Sequence, residues 1–157
     1  MTGWRIGYTA APEPVVKAMT TLQGQSTSNP TSVAQAAAAA ALAGSQECVG
    51  VMVREFEKRR DFVVRRLREI PGLSVVRPDG AFYAFPNIRS FIGKRWVKGE
   101  IRNGTDLATY LLEEGKVSLV GGDAFGASDH IRISYANSME NLSKAFDRME
   151  VSLKALR

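Results

Sequence analysis

Cysteine and histidine are nearly missing from this 157-residue sequence, where Cys48 and His130 occur once each. A lone cysteine cannot close an intrachain disulfide, and one cysteine with one histidine cannot complete a structural zinc site. We therefore expect neither a disulfide nor a metal site, and the free thiol fits a reducing compartment. Long hydrophobic runs are also missing. The stretch from Thr20 to Gln46 carries no charge, but Ser, Thr, Gln and Asn interrupt it too often for a transmembrane segment. The first residues lack the basic-then-apolar layout of a secretory or transit peptide, so a soluble, cytoplasmic protein with no membrane contact is the expectation. There is no P-loop, no dinucleotide fingerprint and no Ser-His-Asp ordering, and His130 lies too far along the chain from Cys48 to suggest a Cys-His pair.

The composition that is present, 45% hydrophobic and 24% charged, is that of an ordinary globular chain, and the length suits one domain or one domain with part of another. Twenty-one basic against 16 acidic residues give a net charge of +5, enough to raise the question of nucleic acid. The pattern argues against it. Arg54, Lys58, Arg59, Arg60, Arg65, Arg66 and Arg68 are interleaved with Glu55, Glu57, Asp61 and Glu69. Glu55 with Arg59 and Asp61 with Arg65 have the spacing and order of helix-surface ion pairs. A solvated helix face is the expectation, with no nucleic-acid partner.

Trp4 to Ala10 is aromatic and β-branched and predicts a short strand. Pro14 opens a helix over Val15 to Leu22, a turn-rich loop follows to Pro30, and Thr31 or Ser32 caps an alanine-rich helix that Gly44 stops. Met52, Phe56, Val63, Leu67 and Ile70 recur at helical spacing and predict a long amphipathic helix ending before Pro71. Beyond it come strands at 73–76 and 81–85, an irregular connection at 89–104, a helix capped by Thr105, strands at 117–120 and 130–135 around a loop, and a last helix from Met139 to Ala155. The fold class is α/β. The expected organisation is an incomplete large-domain piece over 1–46, a linking helix over 47–72 and a small domain over 73–157.

Two arginines stand inside apolar strands, Arg5 and Arg132. Each either points outward by simple alternation or offers a planar fork to a carboxylate or phosphate. The glycine-rich run Gly121 to Gly126 follows a strand but leads into no helix, so a mobile loop or a plain turn fits it better than a phosphate cradle. Turn geometry is the reading for Gly80 and Gly121.

Four segments carry a more specific signal: Met1 to Tyr8 (MTGWRIGY), Gln25 to Gln35 (QSTSNPTSVAQ), Pro78 to Pro86 (PDGAFYAFP), and Gly122 to Gly126 (GDAFG) followed by Ile131 to Ala136 (IRISYA). In this order they resemble the C-terminal part of class I aminotransferases, the fold-type I enzymes dependent on pyridoxal phosphate, and most of all the bacterial aspartate aminotransferase subgroup. The resemblance implies that Arg5 grips the cofactor phosphate and that Arg132 binds the substrate α-carboxylate. It places Asn29 in a loop that approaches the neighbouring subunit's active site in a homodimer, and it assigns Phe82 either to the lining of the substrate pocket or to the small-domain core. The substrates implied are an amino acid, aspartate or a similar one, and a 2-oxo acid.

In the family the lysine that forms the Schiff base precedes the MTGWR segment, and Lys17, Lys58 and Lys94 stand in no matching motif. No catalytic residue is therefore assigned, and the chain by itself is expected to be inactive. The alternative of a different class is a stand-alone binding or dimerisation module without catalysis. Titration of the purified chain with pyridoxal phosphate is expected to give no protein-bound Schiff-base absorbance band; such a band, or measurable transamination by this chain alone, would refute the expectation.

Overall fold

The computed structural model describes all of residues 1–157. The chain divides into two compact units, Met1–Gly50 and Val51–Arg157, so the division falls inside the helix expected to link domains. No single helix is long and apolar enough to cross a membrane.

The first unit is helical. After a 3-10 turn at Thr2–Trp4 the backbone turns left-handed at Arg5, with φ 51°. Helix α1 spans Glu13–Ser26, with Pro14 in its first turn where a missing N–H costs nothing, and an ion pair from Lys17 to Glu13 at 2.7 Å follows the expected helical spacing. Helix α2 spans Ser32–Ala43, from N-cap Thr31 to C-cap Gly44. Its alanines favour helix strongly, but they bring little bulk, and only Ala34 is buried in this unit. The strand expected over Trp4 to Ala10 does not form: aromatic and β-branched residues favour a strand only where a ladder partner exists, and the rest of this unit is helix and loop.

Helix α3, Glu47–Glu69, carries into the second unit and buries Val63, Val64 and Leu67. The second unit contains a three-stranded antiparallel sheet in the order β1-β5-β4, with β1 at Tyr83–Ala84, β4 at Val120–Gly121 and β5 at Ile131–Ser134. Its remaining helices are α4, Gly104–Glu113, and α5, Met139–Ala155, the latter with the bounds the sequence predicts. The apolar positions of α5, Leu142, Phe146, Met149 and Leu153, join Leu67 of α3, Leu107 and Leu111 of α4, and Ile131 and Ile133 of β5 in one core. Tyr110 donates its hydroxyl hydrogen to the Ser152 carbonyl at 2.6 Å, so α4 and α5 are tied by a buried polar bond as well as by packing.

Several local expectations change. The strand at 73–76 reduces to one bridge, Ser74 with Asn87, and the strand at 117–120 survives only at its end. The connection at 89–104 contains a hairpin of β2, Arg95–Trp96, and β3, Gly99–Glu100. Asn103 rather than Thr105 caps α4, because its side chain accepts from the Asp106 N–H at 2.9 Å. On α3 the Glu55–Arg59 pair forms at 3.2 Å, but Asp61 pairs with Arg60 and Arg77, and Arg65 with Glu69. The basic face is not solvated throughout. Arg66 lies over Phe62 and Phe146 and bonds Asp147 of α5 at 2.9 Å, which joins two helices.

Left-handed turn geometry does not explain Gly121 or Gly80. Gly121 has an ordinary φ of −63°, and a Cβ there would lie 2.6 Å from the Thr105 nitrogen. Gly80 borders open space, and the left-handed residue of that turn is Ala81, with φ 59°. The tightest approach belongs to Gly104, where a Cβ would stand 2.1 Å from the His130 carbonyl oxygen. No rotamer relieves a clash between a Cβ and main chain, so Gly104→Ala is expected to destabilise the second unit by about 3 kcal/mol. Gly99→Ala, in open space, should stay within about 0.5 kcal/mol. Urea unfolding followed by circular dichroism tests the contrast.

Candidate active-site face around Arg132

Alternation along β5 sorts its side chains. Ile131 and Ile133 turn into the core, while Arg132 is half-buried on the other face. The register aligns Ser134 with Tyr83 and Arg132 with Val120, so β1 delivers Tyr83 to the same face as the guanidinium. Arg132 lies over two aromatic rings, Tyr83 and Phe125, its Cζ 4.4 Å from each centroid. Such stacking suits guanidinium, which is planar and weakly hydrated, and leaves its in-plane N–H donors for an anion.

The nearby carboxylates are engaged elsewhere. Asp129 accepts from Arg89 Nη2 at 2.8 Å, from Asn87 Nδ2 at 3.1 Å and from His130 Nδ1 at 2.7 Å, which fixes the histidine proton on Nδ1. The hydrogen bond from His130, then those from Arg89 and Asn87, hold the Asp129 carboxyl below the ordinary carboxylate range. Asp123 accepts from both the N–H and the hydroxyl of Thr105, at 2.9 and 2.8 Å. The glycine-rich run commits its Gly122 and Gly126 N–H groups to the His130 and Asp123 carbonyls, and its one acid occupies the N-terminus of α4, beside the Asn103 cap. Arg132 is left as a cation on an aromatic face without a partner acid.

The other expected site residues sit differently. Phe82 packs at the edge of the core, its ring 6.0 Å from Phe56 of α3, and the aromatic that reaches Arg132 is its neighbour Tyr83. Arg5 and Asn29 are exposed in the first unit, and the Arg5 guanidinium makes only a 3.5 Å contact with the Thr2 carbonyl. Phe125 was missed as a site residue, as was Tyr83; period-two alternation out from Arg132 and Ala84 would have found Tyr83, whereas nothing local marks Phe125. A groove of about 550 Å³ beside α5, lined by Ser134, Asn137, Lys144 and Arg148 among others, does not include Arg132. No cluster of His, Cys, Asp or Glu is arranged to hold a metal ion.

The family model for aminotransferase class I and II matches residues 1–149. The chain belongs to that family. It is 47% identical over 99% of its length to an aspartate aminotransferase of Geobacillus stearothermophilus, and 43% identical over 95% to an aspartate/prephenate aminotransferase of Nitrosomonas europaea. It spans 38% of the length of each of these relatives. The crystal structure of the Rhizobium meliloti aspartate aminotransferase superposes on the whole chain with a TM-score of 0.86 at 43% identity, over 40% of that structure. The α/β architecture of this aminotransferase chain is thus that of the C-terminal part of the fold-type I enzymes.

Because the folded state holds Asp129 more acidic than the unfolded chain does, its contribution to stability is complete above the ordinary carboxylate pKa and fades as pH falls through the lower folded value. Stability should therefore decline from about pH 4 downward. Asp129→Asn should lower stability at neutral pH and flatten that acid limb. Urea midpoints measured from pH 7 to pH 2 test this, and parallel curves for the two proteins would contradict it.

Proposed function

We propose that these residues form the C-terminal segment of an aminotransferase that moves an amino group between an amino acid, aspartate or a similar one, and a 2-oxo acid. The observation that carries the reading is Arg132: a cation fixed on the central strand, stacked over two rings and unmatched by any carboxylate. A planar carboxylate is the natural partner for its in-plane donors. The names of the relatives, aspartate and aspartate/prephenate aminotransferases, support the substrate class.

Pyridoxal phosphate, when bound, supplies the electron sink for this chemistry. The chain's residues fit its anionic end: Arg5 is exposed, forms no ion pair and is free to neutralise a phosphate. They do not fit its covalent anchor, because no lysine stands in the matching motif; Lys17, for example, is engaged with Glu13 on α1. The role left to these residues is binding and orientation. Arg132 holds the substrate carboxylate and so fixes the direction of the neighbouring C–H bond, the positional part of catalysis. On their own these residues are catalytically incomplete. Asn29 and the apolar side chains open on the first unit, among them Trp4, Leu22 and Leu42, suit contact with a second copy.

Replacing the matching segment of the Geobacillus stearothermophilus enzyme with this chain gives a direct assay. In that chimera Arg132→Gln should lower kcat/KM for L-aspartate about 100-fold or more, with Arg132→Lys falling between the two. A change within about threefold would remove Arg132 from the substrate site.

A further inference from the structure

Phe125 keeps its place over Arg132 from an exposed position. It is 49% exposed, it ends the short 3-10 segment Gly122–Phe125, and the next residue, Gly126, is left-handed with φ 75°. Main-chain bonds close this loop, from the Gly126 N–H to the Asp123 carbonyl at 3.1 Å and from the Ala127 N–H to the Gly122 carbonyl at 3.0 Å, and a further contact is made by the ring. Its support comes from the segment after β1, where Phe85 meets Phe125 edge-on, with centroids 6.1 Å apart and planes at 87°. Phe85 also stacks on the His130 imidazole at 4.9 Å and 13°. Offset stacking and edge-on contact are the favoured geometries for such rings.

His130 is held against rotation by Asp129, which Arg89 and Asn87 hold in turn. The Asn87 side chain also accepts from the Arg89 backbone N–H at 3.0 Å. Contacts therefore run without a gap from the Arg132 guanidinium through Phe125, Phe85 and His130 to a hydrogen-bonded carboxylate, all within the second unit.

We infer that Phe85 and His130 are positioning residues for the Arg132 carboxylate site: they hold Phe125 over the guanidinium and so fix where its donors point. The inference rests on the reading of Arg132 as a carboxylate clamp. A long cation free to explore its rotamers must be ordered when an anion binds, and ordering it beforehand removes that cost. Neither residue touches the anion. Each acts through the ring that does the holding.

The test uses the 157-residue chain labelled with 15N. The Arg132 Nε–H signal, identified by its loss in Arg132→Lys, reports the stacked rings through its ring-current displacement, and titration with succinate reports carboxylate binding. In Phe85→Ala and in His130→Ala the displacement should shrink and the succinate Kd should rise about three- to tenfold, while Phe85→Tyr retains wild-type behaviour in both. The backbone amides of Leu107, Ile133 and Phe146 verify that each variant is folded; Phe85→Leu, which keeps bulk without a ring, replaces any that is not. An unmoved Nε–H signal with unchanged succinate binding in these variants overturns the inference. Wild-type chain that ignores succinate overturns the carboxylate reading instead, and the Nε–H signal of the variants then still decides whether Phe85 and His130 hold the guanidinium.

Discussion

Strand β5 is the element on which the second unit depends, because it alone in the sheet is paired on both sides. Its alternation serves two environments at once. Ile131 and Ile133 enter the core that α3, α4 and α5 close, and Arg132 is turned to the opposite face. A slip of one residue would bury the guanidinium and expose the isoleucines, so the hydrophobic effect that fixes the register also fixes the cation. The register then brings Tyr83 from β1 and Val120 from β4 alongside.

Close main-chain contact is the second constraint. Gly104, Gly121 and Gly122 sit where α4, β4 and β5 converge, and a Cβ at any of them would meet backbone atoms under 3.0 Å away. The absence of side chains there lets the start of α4 lie against the strand that carries Arg132. The same convergence delivers Asp123 to Thr105, which satisfies the helix terminus. Local pairing recurs across the unit: Asp129 with Arg89, Asp106 with Arg102, Glu150 with Lys154. Those with both partners at the surface add little stability individually. Arg132 has aromatic neighbours and no carboxylate partner.

The sequence sets two arginines in apolar surroundings, Arg5 in one unit and Arg132 in the other. Class I aminotransferases handle substrates and a cofactor with anionic groups, and a guanidinium on a rigid element is a general device for holding them. The chain spans less than half of the relatives it matches.

Much of the architecture was legible in the amino-acid order because local rules govern it. The helical spacing of Leu142, Phe146, Met149 and Leu153 set α5, proline and glycine punctuated α1 and α2, and the alternation of Ile131, Arg132 and Ile133 marked both a strand and its polar face. The four segments from MTGWRIGY to IRISYA, taken in order, suggested the family. Tertiary structure decided the rest. Trp4 to Ala10 has strand-forming residues but no ladder partner, Phe82 went to the core edge while Tyr83 took the face of Arg132, and Gly104, Gly121 and Gly122 proved to be sites of close approach. The Phe125, Phe85, His130 and Asp129 contacts join residues up to 45 positions apart, and no local period encodes them. Sequence alone determined which residues favour which local geometry; which groups meet was decided only when burial of the core brought distant segments together.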